Sequence, residues 1–435
     1  MVLSDGSSPF EIAIIGGGIG GLCCALFIDH FCRAANTKTQ ININVYEQAA
    51  QYKEIGAGVH IGPNAAKLLH QIGIGEQLNS IAGFRRGVWL TFRRFDNSAE
   101  ILTIPAKDDQ PIRQAPVARA EFLDLLVRTV QERNAATLHT GKICRSVQDE
   151  GNRVIVSFAD GTKTAANLVV GCDGIHSNIR SQFVEDRPLY SGRIAYRGVI
   201  PIAELKDWWP FETYSVSFLG PGKHFLVFPI SQNKSLNIVA FVAVSEMELG
   251  NLRESWTSKS RREDAENDYA TFNDTVKRVI GLMPSEISKW KLNDREPLDQ
   301  WTFFGGKIVL LGDAAHAMLP HQGAGAGQAL EDGYILARAV ADTLDRASET
   351  IDATNRLQPY TQLYQDVRLP RAKKTQQTAR EAGLVYQMKA PELIGLSYDD
   401  CLPIVKNKLE NRMKWIWSGN IDKEYEELKV ARSLS

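Results

Sequence analysis

The chain holds 435 residues, with 50 lysines and arginines against 51 aspartates and glutamates and a formal net charge of −1. That balance gives no broad pull toward nucleic acid or an anionic membrane surface, so neither is an expected partner. Hydrophobic residues at 44% and charged residues at 23% fit a globular chain long enough for two domains, and no repeat or low-complexity tract stands out.

The apolar run Glu11–Ile15 predicts a buried strand. Gly16, Gly18 and Gly21 follow it and lead into an apolar helix carrying Leu22, Ala25, Leu26 and Phe27. Ile41–Tyr46 then alternates as a second strand and ends at Glu47. This is the layout of a dinucleotide-binding βαβ unit. Gly16 permits the tight turn, Gly18 lets the backbone approach a pyrophosphate, and Gly21 lets helix and strand pack closely. The helix N-terminus presents N–H groups to phosphates, and Glu47 is placed to accept from a ribose hydroxyl.

A glycine-rich loop, Glu54–Val59, precedes a helix opened by Pro63 and Asn64. The pairs Arg85-Arg86 and Lys373-Lys374 read as solvated surface. Another helix is expected from about Arg119, with Leu123, Leu126, Val127 and Val130 on one face. A cation at a helix start opposes the macrodipole, so Arg119 is either at work on a ligand or simply exposed. Asn152–Phe158 and Thr162–Ala165 predict a hairpin through Asp160-Gly161. Leu168–Cys172 is a second buried strand, ending at Asp173-Gly174.

From Ile194 to Val244 the pattern changes to short runs, among them Tyr214–Phe218, His224–Ile230 and Leu236–Val244. These predict a mainly antiparallel sheet inserted into the nucleotide-binding fold as a substrate domain. Met247–Trp290 reads as polar and helical. Ile308–Leu311 is a third buried strand, ending at Gly312-Asp313. Five small residues, Gly323–Gly327, then feed an apolar helix, Tyr334–Leu344. They would let a planar ring lie against the backbone, with a helix N-terminus aimed at developing negative charge. From Tyr360 onward the chain reads as helical and includes Trp415 and Trp417.

The six cysteines form no C-x-x-C pair and no Cys/His cluster with ligand spacing, so no metal is expected. Cys23 and Cys24 read as small buried thiols, which fits a reducing cytoplasm. The stretch Met1–Pro9 lacks the layout of a signal peptide, and no run approaches the roughly 20 apolar residues of a membrane span. The expected location is cytoplasmic, as a monomer or homodimer.

Three strand ends with close-approach residues, far apart in sequence, read as one large cofactor gripped at several points. The second carries the pattern D-G-x-x-S-x-x-R as Asp173-Gly174-Ile175-His176-Ser177-Asn178-Ile179-Arg180, and the third is Gly312-Asp313-Ala314-Ala315-His316. With these in place the chain resembles the single-component FAD-dependent aromatic hydroxylases over nearly its whole length. Glu54–Asn64, Ala195–Gly198, His224–Pro229 and Leu319–Gln328 resemble the salicylate-hydroxylating branch of that family.

The resemblance implies an α/β chain: a Rossmann-like FAD-binding domain with an inserted antiparallel substrate domain and a C-terminal helical region. The implied boundaries are 9–190 and 293–370 for FAD, 191–292 for substrate and 371–435 for the helices. FAD would be tight and non-covalent. Gly16, Gly18 and Gly21 would hold its pyrophosphate, Glu47 the adenosine ribose, and Arg119 another part of the cofactor. Gly58, Gly325 and Ala326 would approach the ribityl chain or ring, and Asp313 a ribityl hydroxyl. Asp173 and Gly174 would serve both FAD and the reduced nicotinamide. No second dinucleotide fingerprint occurs, so NADH or NADPH would bind transiently.

The implied reaction converts salicylate, NAD(P)H and O2 to catechol, CO2, water and NAD(P)+ through a flavin C4a-hydroperoxide. A base is needed for the phenol, and histidine suits it. His224 is the favoured base or phenolate partner, with His321 the other candidate. Arg197 would hold the carboxylate or phenolate, or instead cap the flavin face or make a structural pair. Phe228 would wall the pocket. Two alternatives stand: hydroxylation of another phenolic acid or polyketide-derived phenol without loss of CO2, and a non-catalytic flavin redox sensor.

Overall fold

Three apolar runs that end in glycine-bearing turns lie side by side in one sheet. Phe10–Ile15 pairs in parallel with Ile41–Tyr46 on one edge and with Leu168–Gly171 on the other. Leu168–Gly171 pairs in turn, again in parallel, with Ile308–Leu310. Thr137–His139 extends the sheet beyond Ile41–Tyr46, and Thr302–Phe303 closes the far edge in antiparallel fashion. These strands are buried on both faces, which is why they read as continuous apolar runs rather than alternations. The structure is a computed structural model that describes residues 8–35, 37, 39–52, 58–84, 87–106, 110–249, 259–345 and 353–434. Residues 54–57 of the expected glycine-rich loop and the pair Arg85-Arg86 lie outside the described residues.

The helices Ile19–Ala34 and Gly325–Asp345 cover this sheet, and their buried residues share one core with its strands. Cys23 and Cys24 sit wholly inside that core, and burial pushes both thiols far above their ordinary range. Among the described residues no helix is long and apolar enough to cross a membrane, and no cluster of three or more metal-ligating side chains occurs.

A second sheet of eight strands stands against the first domain. Leu189–Pro201, Val216–Gly220, Lys223–Ile230, Ser235–Ala243, Lys259–Arg261 and Glu286–Asp294 come from the middle of the chain. Val88–Arg94 and Glu100–Pro105 complete it from much earlier. Val88–Arg94 pairs in parallel with Val216–Gly220, a strand whose edge would otherwise stand open. The substrate-side sheet therefore draws on more of the chain than 191–292. Two further segments differ from the sequence reading. Glu286–Trp290, expected as helical, begins a strand that pairs with Leu189–Pro201. Residue 370 falls inside the single helix Ala353–Tyr386, which carries both Pro359 and Pro370.

Alternation gives the large sheet two apolar faces. Ile194, Tyr196, Phe218, Phe225, Val227 and Ile238 face the helices Arg262–Asp268 and Asp274–Gly281. The opposite face carries Ala195, Leu226, Val239 and Phe241, packed with Leu319, and Phe228 with Ala118. Leu319 and Ala118 belong to the nucleotide-binding part, so this second face is the seam between the two sheets.

Candidate active site

All three strand-end motifs open at the same, carboxyl edge of the parallel sheet, where open α/β sheets bind their ligands. Gly16 holds φ +113°, and a Cβ there would run into the carbonyl of Cys172. A Cβ at Gly21 would collide with the carbonyl of Gly16, so both glycines are required by the fold itself. Gly18 is different: a Cβ at that position would meet none of the described residues within 4 Å. It is the N-cap of Ile19–Ala34 and offers no side chain to the first-turn amides. The cradle therefore leaves unsatisfied N–H groups facing free space, as a pyrophosphate requires.

Glu47 closes the neighbouring strand. One carboxylate oxygen accepts from Gly17 N and the other from Ala49 N, each at 2.8 Å. The ring of Tyr52 lies beside Gly17, and its buried hydroxyl has no hydrogen-bond partner among the described residues. An orphaned donor, a carboxylate and open amides together fit the ribose-phosphate portion of a dinucleotide.

Asp173 organises its own turn. It accepts from Ser177 Oγ at 2.5 Å, from Asn178 N at 2.7 Å and from Ile179 N at 3.2 Å. Gly174 stands next to it at φ +79° with open space around it. Arg180, fully buried, explains the last letter of the motif. Its Nη1 donates to the carbonyls of Ala314 and Ala315, each at 3.1 Å, and its Nη2 pairs with Asp186 at 2.5 Å. The second motif thus ties down the third. Asp313 starts the short helix Asp313–His316 with its side chain exposed, and Gly325 and Ala326 begin the long helix partly exposed. Gly58 has a packing reason: Phe228 and Asn237 occupy the space of its missing side chain, and its N donates to Asn237 Oδ1 at 2.7 Å.

Behind the third motif lies a buried ionic network that sequence reasoning missed. Asp332 accepts from Gly312 N at 3.0 Å, meets His316 Nε2 at 2.5 Å and pairs with Arg368 Nε at 2.8 Å. Glu331 pairs with Arg368 at 2.6 Å and Arg371 at 2.7 Å, and accepts from Asn64 Nδ2 at 2.6 Å. Burial opposes ionisation of Asp332, but its contacts with His316 and Arg368 outweigh it and hold the carboxyl below its usual range. The only sequence signal was an acid pair inside an otherwise apolar helix, with two arginines three residues apart downstream.

On the seam side, the structure brings His224 and His321 together, their ring centroids 5.3 Å apart. His224 stacks on Phe241 at 4.2 Å, and Tyr386 lies 5.3 Å from it. His321 comes from the turn Pro320–Gln322 and rests against Gly383 of the long helix. Both rings are buried; among the described residues, His224 Nδ1 and both nitrogens of His321 have no hydrogen-bond partner. Burial, and then the charge of Arg193, push His321 down to about 3. Burial, His321 and Arg193 likewise hold His224 well below the ordinary histidine range. Both are therefore neutral acceptors at physiological pH.

Arg197 lies on the same face of its strand as Ala195, two residues away. Its guanidinium lies 3.3 Å over the ring of Trp290, and burial together with neighbouring Arg119 lowers its basicity. Arg119 is the first residue of Arg119–Arg133, next to Ala118, which packs on Phe228.

Residues 10–378 match the family model described as "FAD binding domain". The chain belongs to the FAD-dependent aromatic monooxygenases, and FAD is its cofactor. A salicylate hydroxylase of Pseudomonas putida is 32% identical over 97% of this chain and 95% of its own length. A 3-amino-4-hydroxybenzoate 2-monooxygenase of Streptomyces platensis is 34% identical over 86% of this chain and 87% of its own. A solved salicylate hydroxylase substrate complex superposes with a TM-score of 0.78 at 28% identity, covering 96% of this chain and 98% of that one.

Proposed function

We propose that this chain hydroxylates salicylate with loss of its carboxylate, giving catechol, CO2 and water, with NADH or NADPH as reductant. The observation that carries this reading is the pair of buried, neutral histidines with unpartnered ring nitrogens at the seam between the two sheets. Its likeness to salicylate hydroxylases along almost the whole chain supports the same substrate.

FAD, when bound, would supply the activation of oxygen, with NADH or NADPH as the electron source. Gly16, Gly18, Gly21 and Glu47 would hold its adenosine and phosphate portion, with Arg119, Asp173, Gly174, Asp313, Gly325 and Ala326 around the remainder. His224 or His321 takes the phenolic proton onto a free ring nitrogen. The resulting phenolate concentrates electron density on the ring carbon that carries the carboxylate. One oxygen atom of the O2 that FAD would activate bonds to that carbon and breaks the ring's aromaticity, the other atom leaving as water. Departure of the carboxylate as CO2, its bonding pair left in the ring, then restores aromaticity. Phe241 and Phe228 wall the seam and keep water out.

The test is FAD-loaded protein with NADH, air and salicylate, assayed for catechol and released CO2 together. One CO2 per catechol supports the proposal. A hydroxylated acid that keeps its carboxylate favours the reading drawn from the aminohydroxybenzoate relative. NADH oxidation that yields peroxide without catechol makes salicylate an effector only. No stimulation by any phenolic acid leaves the sensor reading.

A further inference from the structure

The seam contains a buried arginine that no carboxylate neutralises. Arg193 is 6% exposed, on the strand Leu189–Pro201. Its Nε donates to Gln387 Oε1 at 2.8 Å and its Nη1 to the carbonyl of Ser191 at 2.9 Å. Both acceptors are neutral. Among the described residues it has no ion-pair partner within 4.0 Å, and the acid nearest in effect, Asp294, is paired at 2.5 Å with Arg380. Arg180 and Arg295 share Asp186, and Arg368 pairs with Glu331 and Asp332, while Arg197 has no acid within 4.0 Å among the described residues but lies on the face of Trp290. A guanidinium taken out of water without an anion is costly, and such a site is completed by a bound one.

Geometry puts this cation beside the two histidines. The register pairs Ala195 with Phe241 and Phe241 with His224, all on the seam face of the sheet. Arg193 is two residues from Ala195, hence on the same face. The end of the long helix gathers the set: Gly383 against His321, Tyr386 beside His224, and Gln387 bonded to Arg193. Arg197 sits two residues beyond Ala195 in the other direction, committed to the face of Trp290.

We propose that Arg193 is the carboxylate anchor of the substrate, with the neutral histidines facing the rest of the ring. The inference rests on the reading of the seam as the aromatic-acid site, and it moves the anchoring role from Arg197 to Arg193. Gln387 is then a positioning residue that fixes the guanidinium plane through Nε and leaves Nη2 for the ligand. Arg–carboxylate pairing through a fixed fork also gives orientation, which an ammonium would not.

The test measures binding rather than turnover, so it does not require salicylate to be the true substrate. FAD-loaded protein is titrated with paired probes, benzoate against benzamide and salicylate against salicylamide, following the flavin absorbance change. The wild type is expected to prefer each acid over its amide by at least tenfold. In Arg193→Gln acid affinity falls roughly 50-fold while amide affinity stays within about threefold. Arg193→Lys recovers part of the preference for acids. The proposal is overturned if Arg193→Gln keeps the acid preference, if it loses acids and amides equally, or if the wild type shows no preference. A selective wild type that nevertheless yields no catechol would sink the proposed reaction and leave the anchor standing.

Discussion

The strand-end cradle and the histidine seam are built on opposite principles. In the cradle, Asp173 accepts three bonds, Arg180 locks the second motif to the third, and Asp332 is held by an amide, a histidine and an arginine. In the seam, two histidines keep open nitrogens and Arg193 keeps an unneutralised charge. Buried polar groups are normally satisfied, so concentrated dissatisfaction marks where a ligand completes the structure. The cradle is a tied scaffold left open at Gly18, Gly174 and the Tyr52 hydroxyl; the seam is mostly gap.

The largest effect should come from breaking the scaffold. Arg368→Met leaves Glu331 and Asp332 buried beside fewer cations, and breaking such a pair costs about 3–5 kcal/mol. Urea unfolding of the apoprotein should show a midpoint lowered to match. A midpoint unchanged within error would mean the network is not what holds Gly312 and the long helices together.

Within the cradle the glycines should part company. Gly16→Ala meets both a positive φ and the Cys172 carbonyl, and is expected to lose about 3 kcal/mol. Gly18→Ala meets none of the described residues, so apoprotein stability should move by only about 0.5 kcal/mol or less. Its flavin dissociation constant, read by fluorescence recovery on dilution, should still rise. Equal losses of stability at both positions would erase the distinction drawn between packing glycine and ligand glycine.

That distinction also explains what the sequence made legible. Gly16, Gly18, Gly21, Asp173 and Gly312 stand in turns fixed by the strand just before them, so local pattern carries most of their meaning. The Arg180 link and the Asp332 network join residues more than a hundred or several tens of positions apart, and no periodicity encodes them. Val88–Arg94 was likewise not assigned to the substrate sheet, because its pairing with Val216–Gly220 is a long-range event. His224 and His321 could be singled out by type and segment. Their proximity, and the position of Arg193 beside them, needed the register of three strands and the end of one helix.

The seam should respond in rate rather than in stability. If one histidine removes the phenolic proton, its replacement by glutamine lowers kcat by roughly 100-fold, about 2.7 kcal/mol of barrier. Replacing the other should cost less than about tenfold. Both variants should unfold near the wild-type midpoint, since neither removes a satisfied bond. Full turnover in both would remove histidine from the proton transfer and with it the basis for the proposed reaction.

The most gradual effect, small per unit of pH, distinguishes the regions by pH. The folded-state pKa of His321, about 3, lies below the ordinary 6.5 of an unfolded histidine. Above 6.5 neither state binds the proton, and the group contributes no pH dependence. Between 6.5 and 3 the unfolded chain takes up a proton that the fold refuses, so stability falls as pH falls. The slope is about 1 kcal/mol per pH unit for this group, and His224 adds to it with the same sign. His321→Phe should flatten the stability profile between pH 6 and 4, with little change at pH 7.5. An aromatic acid held by Arg193 would place negative charge beside both rings and favour their protonation. Saturating benzoate should therefore flatten the wild-type profile too, and should do so far less in Arg193→Gln. If the slope is insensitive to both His321→Phe and benzoate, the acid sensitivity belongs to the carboxylates of the cradle and not to the seam.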